Sequence, residues 1–131
     1  MTINFIQDLR FDLMTNQEPN RDLDTRIHMI FGEQDSAVPL YTEKLQGQFI
    51  AYKILQSNFP GIDINMRELP DGNVSCIMGT DNSVAYISTT FTSATHAFLD
   101  GLLALYAQGI SDEAEVLSYA FDTNDTYPLH S

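Results

Sequence analysis

Apolar positions along the chain switch from a helical period to a strand period and back. Ile3, Phe5, Ile6, Leu9, Leu13 and Met14 recur at mixed helical spacings, predicting a short helix or an extended arm with one apolar side. After the polar stretch 15–20, Asn20 or Asp22 is suited to cap a helix through Phe31, with Leu23, Ile27, Ile30 and Phe31 on one face and Gly32 at its end. A polar linker over 33–42 closes with Val38-Pro39-Leu40-Tyr41-Thr42. Thr42 as cap and Glu43 in the first turn predict a helix over 43–58. Its expected inner face is Leu45, Phe49, Tyr52, Leu55 and Phe59, with Gln46, Gln48, Lys53 and Gln56 in water. Gly47 inside that helix marks close packing, and Pro60-Gly61 stops it.

The period then becomes two. Ile62, Ile64 and Met66 alternate with Asp63, Asn65 and Arg67; Pro70-Asp71-Gly72-Asn73 turns the chain; Val74, Cys76 and Met78 follow on alternate positions. Asp81-Asn82-Ser83 turns it again into Val84–Phe91, which makes a three-stranded antiparallel meander. Thr92 or Ser93 caps a helix whose wide stripe, Ala94 to Ile110, requires burial against more than one element. Gly109 is its expected end, Ser111–Phe121 a short terminal helix, and 122–131 a frayed tail. The fold class is therefore α+β, helices on a meander in the order αα-βββ-α with additional terminal elements. The expected division is an arm over 1–19, a domain over 20–110, and a short helix with an acidic tail over 111–131.

Charge adds a second pattern. The 131 residues have a net charge of −12. Residues 1–67 hold all six bases against nine acids, and residues 68–131 hold nine acids and no base. Such a field repels phosphate backbones and anionic membranes and attracts basic surfaces, so direct nucleic-acid and membrane binding are disfavoured. Acidity also serves solubility alone in many proteins. Cys76 is the one cysteine, no basic-then-apolar leader opens the chain, and no run is long enough to span a bilayer, so the cytoplasm is the expected location.

Arg21-Asp22-Leu23-Asp24 leading to Gly32, Pro39-Leu40-Tyr41-Thr42 opening a helix, and Ser93-Ala94-Thr95 leading into an Ala/Leu-rich closing helix resemble the phage α-β-α sandwich family and the related NinX-like phage proteins. The resemblance covers about residues 20–109 and departs from the family in lacking tryptophan. It implies a fold and a phage or prophage origin, and no chemistry.

Chemistry-bearing motifs are absent. His28, His96 and His130 are scattered, Cys76 has no Cys partner, and the acidic run Asp122–Tyr127 lacks the glycine and glutamate of a calcium loop, so no metal, cofactor or enzyme activity is expected. Cys76 reads as a core side chain, His96 as a neutral hydrogen-bonded histidine, and His28 as a surface one. Tyr41 is expected to pack its ring near the helix start with its hydroxyl in solvent. Three functional readings follow. The first is a phage accessory protein that binds a basic host protein, as an anti-CRISPR-like nucleic-acid mimic, through Asp71, Asp81, Asp112, Glu113, Glu115, Asp122 and Asp125. The second is a binder of small molecules such as signalling nucleotides, with Tyr41, Arg21, Arg26 and Arg67 at a pocket. The third is a homo-oligomeric assembly protein, most simply a dimer, joined through the arm Ile3 to Met14 and its open strand edges.

Overall fold

The computed structural model describes the backbone of residues 3–121 and the side chains of residues 3–109. Four helices and three strands follow in the order α1 (Ile3–Thr15), α2 (Arg21–Phe31), α3 (Lys44–Asn58), β1 (Asp63–Glu68), β2 (Val74–Thr80), β3 (Ser83–Phe91) and α4 (Ala94–Phe121). The α+β class and the helices before and after the meander are as the periodicity predicts.

Helix α4 is the centre of the molecule. Every residue from Ala97 to Leu105 is buried, a girdle no single neighbour could cover. The sheet lies against one side and α1 and α3 against the others, as its wide stripe requires. Ile6, Leu9 and Leu13 of α1 are fully buried in the same core, so residues 3–15 belong to the folded body. At about 1.5–3 kcal/mol for each buried aliphatic side chain, α1 is held to the core by that face and is not a detached arm, while Phe11 and Met14 on its other side stay exposed. The backbone of α4 stays helical through Gly109 to Phe121, so the expected stop and separate terminal helix are one continuous element. Exposed Gly109 has no positive φ and open space where a Cβ would stand, hence no left-handed cap.

Asn20 caps α2, its Oδ1 accepting from Asp22 N and Leu23 N at 2.8 and 3.0 Å. The α3 cap is Glu43, whose carboxylate accepts from Gln46 N at 3.0 Å. Thr42, the expected cap, is occupied elsewhere: its hydroxyl donates to Asp24 Oδ1 at 2.7 Å and accepts from Asn20 N at 2.8 Å. The inner face of α3 also differs from the expected one. Gly47, Ala51 and Leu55 are buried, whereas Leu45, Phe49 and Tyr52 point outward. The smallest residues make the contact because the backbones approach closely; a Cβ on Gly47 would collide with Tyr41 O and crowd Thr95.

The sheet order is β1-β2-β3, antiparallel throughout. Gly72, at φ +90°, turns β1 into β2, and Asp81-Asn82 form a two-residue hairpin loop between Thr80 and Ser83. β3 carries two bulges. Met78 pairs with Tyr86 but Gly79 with Val84, leaving Ala85 extra; Cys76 pairs with Ser88 but Val74 with Phe91, leaving two β3 residues opposite Ser75. Side-chain amides satisfy a carbonyl at each: Gln108 Nε2 donates to Ala85 O at 2.8 Å and Asn73 Nδ2 to Thr89 O at 3.0 Å.

Candidate functional site

Arginines decide where a charged ligand could bind, and three of the four are already engaged. Arg10 Nε sits 2.8 Å from Asp100 Oδ1, with Nη2 donating to Oδ2 at 3.2 Å. Arg21 Nη1 lies 2.8 Å from Asp24 Oδ2 and the same side chain donates to the Val38 and Pro39 carbonyls. Arg26 bridges Asp12 and Asp22 at 2.9 and 3.0 Å. Arg67 stands on exposed β1, lining a cleft of about 410 Å³ with Lys44.

The expected pocket of Tyr41, Arg21, Arg26 and Arg67 is therefore not assembled. Tyr41 is buried, its hydroxyl hydrogen-bonded to His28 Nδ1 at 2.8 Å instead of reaching solvent, and burial raises its pKa. His28 is correspondingly a core histidine, with Nε2 2.8 Å from Glu33 O and 3.1 Å from Ser36 Oγ. Its ring packs against Gly32, leaving no room there for a Cβ. Asp24, also buried, accepts from Thr42 N, Thr42 Oγ1 and Arg21. These contacts weld the 33–43 connection onto α2, so the Pro39–Thr42 segment is structural.

His96 and Cys76 sit as expected. His96 is buried, with Nδ1 2.8 Å from Ser93 Oγ and Nε2 3.3 Å from Glu18 O, and burial lowers its pKa. The Cys76 thiol is buried and pushed up to about 12 by that burial, with Asp100 adding to the effect, so it is held protonated and inert. Among the described residues no three His, Cys, Asp or Glu side chains are placed to hold a metal ion. No helix among them is long and apolar enough to cross a membrane.

Sequence reasoning missed one constellation. Tyr86 on β3 donates to Asp100 Oδ2 at 2.6 Å beside the Arg10 pair; burial, Asp100's charge and this bond push the phenol pKa up. The bond to Asp100 likewise raises that of Arg10. The signal was a lone aspartate within the apolar run of α4, but its partners lie 90 and 14 residues away. A cavity of about 580 Å³ opens between α1 and β3 above this triad, with Phe11, Met14 and Ile87 among its lining. Asp100 already answers the Arg10 charge, so the cavity offers an anion no net positive site.

Acids at the sheet's turns have no such partners. Asp71 and Asp81 are exposed, as are Asp63 and Glu68 on β1, and no ion pair reaches them among the described residues. Asp71 Oδ1 accepts from Asn73 N at 2.9 Å, which fixes the turn. Asp112, Glu113 and Glu115 fall in α4, with side chains outside the described residues. Asp122 and Asp125 lie outside them altogether. No family model, curated protein or solved structure matches the chain.

Proposed function

We propose that this protein is a non-enzymatic binding protein whose acidic surface engages a partner protein with a basic face. The supporting observation is the partition of charge. Arg10, Arg21 and Arg26 are each spent on internal aspartates, while Asp71, Asp81, Asp63 and Glu68 stand exposed around one small sheet. Such a surface steers toward cationic grooves and away from phosphates. The resemblance of residues 20–109 to phage proteins supports placing the activity in a phage or prophage. The partner would then be a host nucleic-acid-handling or defence factor, and the acids would occupy its groove as a phosphate backbone does.

The test is capture of bacterial host proteins on the immobilised full chain at low and at high salt. Basic nucleic-acid-binding proteins should be retained at low salt and released by salt or competing DNA. Retention should fall severalfold when Asp71→Asn and Asp81→Asn are combined. Capture that ignores salt and survives that double substitution would overturn the reading.

A further inference from the structure

The sheet has one covered face and one open face. Met78 and Tyr86, paired across β2 and β3, are buried and lie against Gly101 of α4. Side chains alternate along a strand, and directly opposed residues share a face. Ile77 and Ile87 therefore stand together on the other face, as do Asp63, Gly79 and Val84, which follow one another across β1, β2 and β3. Val84 is 61% and Ile87 62% exposed, so no described element packs over them.

Charge and apolar surface meet on this face. A depression of about 260 Å³ at its hairpin end is lined by Asp63 and Asp81 together with Ile77, Gly79 and Val84. Gly79 has no side chain, so backbone forms the floor between Asp63 on β1 and Val84 on β3. Neither carboxylate has an ion-pair partner among the described residues. Asn65, opposite Ile77, adds a neutral polar edge. Arg67, the base that β1 places on the same face, lies four residues from Asp63, about 13 Å along the strand.

Each property narrows the occupant. Sites for whole small molecules run from about 300 to 1,000 Å³, so a depression of about 260 Å³ suits a single side chain. Two unpaired carboxylates call for a cation, and the apolar wall of Ile77 and Val84 calls for a long aliphatic stem. Arginine answers both better than lysine: its guanidinium is planar, more weakly hydrated, and has five donors to divide between two carboxylates. A second copy of this chain would bring the same acids to the contact and be repelled.

We infer that the open sheet face is the part of the acidic surface that meets the partner. An arginine of the partner is held over Gly79 between Asp63 and Asp81, and an apolar side chain beside it covers Val84 and Ile87. The inference rests on the acidic-face reading and narrows it to one face. Ile77, Val84 and Ile87 supply the buried centre, and the carboxylates supply attraction and register. Asp71, on the turn at the far end of the seven-residue β2, lies outside this contact.

Titration of the isotope-labelled full chain with a short peptide alternating arginine and leucine tests it, read by amide shifts at low salt. Shifts should centre on residues 77–80 and 84–87. Asp63→Asn with Asp81→Asn should weaken binding about tenfold, and Val84→Thr with Ile87→Thr by a similar factor. Lysine in place of the peptide's arginines should weaken it severalfold. All four side chains are exposed and asparagine is favoured in hairpin loops, so the thermal midpoints should scarcely move. Asp71→Asn should leave binding nearly unchanged. Shifts centred on Asp71, with binding indifferent to the Val84 and Ile87 changes, would overturn the inference and leave the acidic-face reading standing. No shift at any residue at millimolar peptide would overturn both.

Discussion

Tyr86 and Arg10 grip the same carboxylate: the Tyr86 hydroxyl donates to Asp100 Oδ2 at 2.6 Å, and Arg10 Nε lies 2.8 Å from Oδ1. One aspartate on α4 thereby holds β3 on one side and α1 on the other. Removing one member of a buried pair strands its partner, at about 3–5 kcal/mol.

Asp100→Ala should therefore destabilise the fold by about 3 kcal/mol, the low end of that range, because Arg10 keeps 30% of its side chain exposed. Tyr86→Phe retains the ring and loses one hydrogen bond to a charged group, for about 1.5–2 kcal/mol. Urea unfolding of the two variants measures both. A cost under about 1 kcal/mol for Asp100→Ala would show that solvent replaces the contact.

Acid should weaken the fold through His96. Burial lowers its folded pKa below the ordinary 6.5, so on acidification the unfolded chain takes up the proton first. Its contribution is full above about pH 6.5 and declines as pH falls from there toward the lower folded value. His96→Gln should flatten this part of the stability profile relative to the parent chain. Parallel profiles for the two proteins would exclude the assignment.

Two helical glycines should respond oppositely to alanine. At Gly47 the new Cβ would meet the Tyr41 carbonyl and the Thr95 methyl, so Gly47→Ala should cost about 1–3 kcal/mol of overpacking. At Gly109 it meets open space inside α4, so Gly109→Ala should increase helical circular dichroism and gain up to about 1 kcal/mol. A loss of helicity in Gly109→Ala would mean that α4 ends there.

The order of elements was legible because local signals coincide with it. Asn20 caps, Gly32 closes, Gly72 and Asp81-Asn82 turn, and the period changes at Ile62. The inner face of α3 was not, because periodicity weighs large residues and this contact is made by Gly47 and Ala51. Nor was the occupation of Thr42, whose partner Asp24 lies 18 residues back. Local rules assign a hydroxyl before a helix to capping and cannot register a buried carboxylate that claims it first. His28 and Tyr41 were misplaced for the same reason, since only the fold of the 33–43 connection joins them. The acidic turns at Asp71 and Asp81 were readable, because turn chemistry and exposure both follow from short-range sequence.

The two kinks of β3 bear on how the molecule avoids runaway aggregation. They break its nine residues so that its longest stretch in unbroken register is the three residues Tyr86–Ser88, too short a template to recruit strand after strand into a fibril. On the opposite edge Asp63, Arg67 and Glu68 are exposed charged side chains that would have to be desolvated for another strand to pair there. With both rims blunted, a concentrated acidic chain is left with its helices as the surfaces on which copies can meet, and contacts of that kind can saturate at a finite size.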